Sequence, residues 1–184
     1  MKATGVVRRI DDLGRVVIPK EIRKVHRIKE GDPLEIFTDK EGEIILKKYS
    51  PIGELTEFAG SYAETIAKTT GHITCITDKD TVIAVSGGAK KDYLEKNLSK
   101  QLEEVLENKE VFKSKDNDEI AIPITQNEGQ ERIYNSQVIY PIISDGDVIG
   151  SVILISKEPN QKMGETEYKV AQSAAGFLGN HLEI

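Results

Sequence analysis

Arginine is the chemically most telling residue in this chain, and its placement is uneven. Of the six arginines, Arg8, Arg9, Arg15, Arg23 and Arg27 lie within residues 1–29, and only Arg132 lies beyond. Lys20 and Lys24 stand among them. Residues 1–29 hold 9 basic against 3 acidic side chains, while the whole chain carries a formal net charge of -6. A guanidinium fork matches both a phosphate and the edge of a guanine, with two parallel hydrogen bonds to either. The chemistry on offer is therefore polyanion binding. A basic end on an acidic chain suggests a polyanion-binding module joined to a module of another kind.

Other chemistry is hard to assemble. The three histidines, His26, His72 and His181, fall in separate segments and share no metal-ligand spacing. No G-x-S-x-G elbow, P-loop or G-x-G-x-x-G run occurs. The single cysteine, Cys75, permits no intrachain disulfide and sits mid-strand, where a buried inert thiol is expected. No catalytic residue and no metal ligand is assigned. One loop does resemble a site. In "SGGAKKDY", Ser86, Gly87, Gly88 and Lys90 could present backbone N–H groups and charge to an anionic effector. The alternative is an ordinary strand-to-helix connection.

Those residues need elements to hold them. "VVRRI" (6–10) and "RVVI" (15–18) are β-branched runs flanking "DDLG", a turn with Gly14 free to take positive φ; they read as a hairpin. Pro19 cannot continue a central strand but suits a helix start, so "KEIRKVHRI" reads as a short helix. "PLEIFTD" and "EIILKKY" read as two further strands around a turn at 40–42. About fifty residues of this kind bury too little apolar surface alone, so strands from two chains are expected to interleave.

"YSPIG" (49–53) marks a boundary between 1–50 and 51–184. A helix over 52–69 carries Ile52, Leu55, Phe58, Tyr62 and Ile66 in a narrow stripe. It serves as a heptad-like seam between chains or as a domain's first helix, and the two roles are compatible. Strands follow at 72–78 and 81–87, then a helix over 90–110. Three more strands are expected at 119–125, 136–143 and 147–156, the last two joined by "SDGD". A small-residue-rich helix over 164–182 ends the pattern. The order implies an α+β domain with helices on one face of a sheet. No apolar run approaches the roughly 20 residues of a membrane span, and "MKATGVVRRIDD" lacks the apolar core of a signal peptide, so no membrane role and a cytoplasmic protein are expected.

The run "TGVVRRIDDLGRVVIPKEIR…EGDPLEIFTDKEGEIILKKY", nearly all of residues 1–50, closely resembles the AbrB-type swapped-hairpin DNA-binding domain of bacterial transition-state regulators. The resemblance implies that two such halves form one dimer binding double-stranded DNA. It places Arg8, Arg15 and Arg23 at DNA-contacting positions. Lys24 stands where the pattern often has Arg; it keeps the charge but loses the bidentate fork, so it and Arg9 are expected on phosphates. Extended members of the family regulate transcription in the developing forespore, activating or repressing. They append a GAF domain, and they form tetramers through GAF helices; here the helices over 52–69 and 164–182 are the candidates. The implied fold is α+β overall, a mostly-β swapped-hairpin domain over 1–50 followed by a GAF-like antiparallel sheet with flanking helices over 51–184. GAF domains often take small effectors, and none is named by these residues. Some are free-methionine-sulfoxide reductases that use several cysteines, whereas this chain has one. Two rivals remain: an antitoxin-like protein with a flexible toxin-wrapping tail, and a sensor enzyme or nucleotide-binding GAF protein.

Overall fold

Pro19 decides where the first helix starts. Its φ of -57° and ψ of 146° end the preceding extended run, and α1 (Lys20–Val25) begins at the next residue. The computed structural model describes residues 6–52, 56–114, 120–128, 134–159 and 161–181. These divide into two compact units, Met1–Tyr49 and Ser50–Ile184.

In the first unit, β1 (Leu34–Thr38) and β2 (Ile44–Lys48) form an antiparallel hairpin with Ile36 opposite Leu46 and Thr38 opposite Ile44. Alternation puts Leu34, Ile36, Ile44 and Leu46 on one face. The connecting turn is tied by Asp39, whose Oδ1 accepts from the backbone N–H of Glu41 at 3.0 Å and of Glu43 at 2.9 Å. The strands expected at 6–10 and 15–18 do not form within the chain. Their turn does: Gly14 N donates to Asp11 O at 3.0 Å, and Asp11 N to Arg15 O at 3.1 Å. Beyond that turn, no described residue ladders with either run. Among described residues 6–49, none is buried. Val7, Ile10, Val17, Val25, Ile36 and Ile44 are between 67% and 85% exposed.

The second unit has a five-stranded antiparallel sheet in the order β4-β3-β7-β6-β5. Its strands are β3 (Ile73–Thr77), β4 (Val82–Ser86), β5 (Phe112–Lys113), β6 (Ser136–Ser144) and β7 (Asp147–Ser156). Its helices are α2 (Thr56–Thr70), α3 (Lys90–Tyr93), α4 (Lys100–Glu107) and α5 (Glu165–His181). The "SDGD" turn joins β6 to β7 with positive φ at Asp145 (50°) and Gly146 (82°), as a two-residue hairpin requires.

Helices cover both faces of this sheet, not one. On the first, Ala59, Ala63 and Ile66 of α2 and Ala171, Ala174, Ala175 and Leu178 of α5 pack on Ile76, Val152 and Leu154. On the second, Tyr93, Leu98, Leu102, Leu106, Ile124 and Tyr134 pack on Cys75, Ile139, Ile153 and Ile155. The central strand β7 is thus buried on both sides, which is why its sequence runs apolar without polar alternation.

Two expected elements differ. The helix over 90–110 is broken: Glu95 takes a φ of 60°, Asn97 bridges to Thr81, and Leu98 bridges to Thr125. Ser99 then starts α4 afresh, its hydroxyl accepting from Leu102 N at 3.1 Å. The described part of the strand expected at 119–125 makes only the bridge at Thr125. Side chains satisfy its backbone instead. Gln137 Oε1 accepts from Ile122 N at 2.9 Å, and Gln137 Nε2 donates to Ile122 O at 3.0 Å. Glu128 accepts from Ile124 N at 3.0 Å and Thr125 N at 3.1 Å. The two-residue β5, at the sheet edge, was not expected from the sequence. Residues 53–55 and Leu182, within the expected helices, lie outside the described residues.

Candidate nucleic-acid interface

Each cation singled out above is at the surface of the first unit. Arg8, Arg9, Arg15 and Lys24 are exposed, and Arg23 is half-buried. Arg23 and Lys24 form the last turn of α1. Arg15 closes the Asp11 turn, and Arg8 and Arg9 precede it. Arg8 Nη1 donates to Val7 O at 3.2 Å. Among the described residues no carboxylate pairs with Arg8, Arg9, Arg23 or Lys24, so their charge is open to an external anion.

Arg15 differs. Its Nε donates to Asp11 Oδ2 at 2.8 Å. Asp11 Oδ1 accepts from Leu13 N at 3.0 Å and from Arg15 N at 2.8 Å. The Arg15 backbone N–H, then its guanidinium, hold the Asp11 carboxyl below the usual carboxylate range. Read only as turn chemistry, "DDLG" hides this pairing with the Arg15 that follows it. The i,i+4 spacing of acid and arginine across a Gly-containing turn is the signal that could have found it.

Other basic residues are structural. Lys48 Nζ lies 3.2 Å from Asp32 Oδ2 and donates to Arg27 O at 3.1 Å. Arg27, at a φ of 53°, ends the α1 segment. Lys47 sits 4.9 Å from the Phe37 ring centroid.

In the second unit, the glycines of the Ser86–Lys90 loop have a packing role. A Cβ on Gly87, whose φ is 77°, would lie 2.9 Å from His72 O, and one on Gly88 would lie 3.0 Å from Ile73 Cγ2. The helix that follows, α3, is only four residues long and has no side-chain cap. A different place offers more room. A cavity of about 240 Å³ is lined by Asp92, Tyr93, Lys96, Asn127, Glu128, Tyr134 and Lys157. Tyr134 Oη donates to Glu128 Oε2 at 2.7 Å and lies 3.4 Å from Tyr93 Oη. With Ile124 N, Thr125 N and the Thr125 hydroxyl also bonded to it, the Glu128 carboxylate has its acceptor sites filled. Lys157 Nζ is 5.5 Å from the Tyr93 ring centroid, and its interaction with the Tyr93 hydroxyl raises its pKa. These residues come from several distant segments, and no local motif announces them. Among the described residues no group of three or more His, Cys, Asp or Glu could hold a metal, and no helix is long and apolar enough to cross a membrane.

The comparisons divide the chain the same way. The family model described as "Stage V sporulation protein T C-terminal, transcription factor" matches residues 54–183. The model described as "Antidote-toxin recognition MazE, bacterial antitoxin" matches residues 7–54. Stage V sporulation protein T of Bacillus subtilis (strain 168) is 51% identical over 183 residues, covering 100% of this chain and 99% of that protein. The transition state regulatory protein AbrB of the same organism is 61% identical over 51 residues, 28% of this chain and 52% of that one. A GAF domain from an Acinetobacter phosphoenolpyruvate-protein phosphotransferase superposes with a TM-score of 0.56 at 16% identity, covering 70% of this chain and 81% of that one, a likeness of fold.

The likeness of the first unit to AbrB and the transcription-factor family model over 54–183 define a DNA-binding transcriptional regulator, whose second unit has a GAF-like fold. The chain belongs to the stage V sporulation protein T family and regulates transcription in sporulation. That family is one of transcription factors, not an enzyme class.

Proposed function

We propose that residues 1–50 form the DNA-binding module only as a pair of chains, and that residues 51–184 assemble and regulate it. One observation carries this reading: none of the described residues 6–49 is buried. A chain segment with several apolar side chains and no core of its own acquires one from a partner. Arg8, Arg15 and Arg23 then contact DNA, with Arg9 and Lys24 on phosphates. Phosphate contacts supply most of the affinity, and a subset of arginines reads base edges or groove shape.

The segment from residue 52 through α2 (Thr56–Thr70) links the modules and begins the second. Tetramers form through α2 and α5. Exposed Phe58 and Phe177, with ring centroids 5.9 Å apart, and Tyr62 and His181 beside them, support that surface. The cavity beside Tyr93 and Lys157 is the place for a small effector, and the unit does no chemistry of its own. The protein works on the nucleoid in the cytoplasm of the forespore. The antitoxin alternative expects a short flexible tail; the two packed faces of the second unit argue against it.

Arg15→Ala tests the reading. Anisotropy titration with duplex DNA should reveal a large loss of affinity, while sedimentation finds the assembly unchanged. A monomeric or unfolded variant would make Arg15 structural instead. Thermal shift against amino acids and nucleotides tests the effector role. A ligand at a hundredfold excess over its Kd raises stability by about 2.7 kcal/mol.

A further inference from the structure

Among the described residues, Arg15 is the one cation of the proposed DNA-binding set with a carboxylate on its guanidinium. The pair is exposed, with 69% of the Arg15 side chain and 36% of the Asp11 side chain accessible. Exposed ion pairs contribute little to stability. An acid beside a DNA-facing arginine also weakens its attraction for phosphate. The turn accounts for an oxygen at position 11, but neither stability nor raw affinity accounts for a carboxylate set on the Arg15 guanidinium.

Its geometric effect is more specific. Asp11 Oδ1 is pinned twice to the backbone, by Leu13 N at 3.0 Å and Arg15 N at 2.8 Å. That fixes the carboxylate, and Oδ2 is left to take Arg15 Nε at 2.8 Å. With Nε occupied, the hydrogen-bonding edge that Arg15 offers outward is the Nη1–Nη2 pair. This edge is a two-pronged donor of the shape that guanine O6 and N7 accept. Holding it in place removes rotamer freedom before DNA arrives. The nearby negative charge meanwhile penalises phosphates that approach in the wrong register.

We propose that Asp11 is a positioning residue for Arg15: it aims the Nη edge and trades non-specific affinity for sequence selectivity. The proposal rests on the assignment of Arg15 to the DNA surface.

The test uses the full chain and two duplexes. One is selected by the wild-type protein from a random pool; the other is a shuffled duplex of the same composition. Asp11→Asn keeps an oxygen for the turn but presents no carboxylate to Arg15 Nε, so it separates positioning from turn formation. Releasing about half of an arginine's rotamer entropy is worth roughly fivefold per copy, or about 25-fold for the two copies in a dimer. Asp11→Asn should therefore weaken binding to the selected duplex by about that factor. Binding to the shuffled duplex should be unchanged or tighter. In an Arg15→Ala background, Asp11→Asn should alter selectivity no further. Full selectivity in Asp11→Asn, or equal loss on both duplexes, overturns the proposal while leaving the Arg15 assignment standing. Wild-type binding by Arg15→Ala overturns that assignment and the proposal with it. Failure of the wild type to enrich any sequence also overturns it, since no selectivity would exist for Asp11 to supply.

Discussion

Ile36→Ala probes the proposed shared core of the first unit directly. Ile36 lies on the apolar face of the β1–β2 hairpin, opposite Leu46, and is 68% exposed in one chain. The substitution removes three carbon atoms, worth about 2.4 kcal/mol when fully buried. About a third of that side chain is already covered within the chain, which leaves about 1.6 kcal/mol for burial against a partner. Two copies make about 3 kcal/mol, or roughly a 150-fold rise in the dissociation constant of the paired unit. The assay is titration of labelled duplex with full-length protein, alongside sedimentation over the same concentrations. The midpoint of DNA binding should move to higher protein concentration, and the variant should recover full binding when concentrated. Wild-type midpoints and wild-type sedimentation would refute the reasoning, because Ile36 would then face solvent in the assembly as well.

Three further outcomes are expected. If 6–10 of the basic side chains in a dimer meet phosphates, DNA affinity falls roughly 10³–10⁵-fold between 50 and 200 mM salt; a flat salt response in an anisotropy series would exclude phosphate-dominated binding. Gly150→Ala should destabilise the second unit by about 3 kcal/mol in thermal denaturation, because a Cβ there overlaps the Thr77 carbonyl across the β3–β7 ladder; an unchanged melting point would mean the strands separate at little cost. Cys75, wholly buried, has its thiol pKa pushed far up, first by desolvation and then by the charge of Glu128. It should stay protonated and resist alkylation at pH 8.5 until denaturant is added, as read by mass spectrometry; prompt native labelling would show that β3 opens.

Much of the first unit was legible in the sequence, because its signals are local. Alternating apolar residues and the Asp39–Gly42 turn specify the hairpin, and Pro19 marks the start of α1. The runs at 6–10 and 15–18 have strand composition and read as a hairpin with each other; the small size of the module, rather than any local pattern, is what pointed to a second chain. In the second unit the errors follow from long-range bonds. Leu94, Leu98 and Leu102 keep a helical period straight through the break, because Leu98 is buried as a bridge residue and Leu102 as a helix residue on the same face of the sheet. Ile120, Ile122 and Ile124 alternate like a strand, but Gln137, far along the chain, takes up the backbone of Ile122. The cavity was illegible for the same reason. The arginine set was visible because charge accumulates in sequence as well as in space; its pairing with Asp11 was signalled only by the i,i+4 spacing, which the ordinary explanation of "DDLG" as a turn concealed.

The absence of any buried residue among the described part of the first unit also bears on when such a regulator acts. A recognition surface completed only by pairing is present in proportion to the square of the protomer concentration while the protein is scarce. A modest rise in synthesis then produces a steeper rise in competent protein, and a modest fall empties the sites quickly. Dilution at division or dosage of the gene would be felt at the promoters as a threshold. On the proposed pairing, the absence of buried residues in the described part of the first unit thus acts as a meter of the cell's supply of that chain.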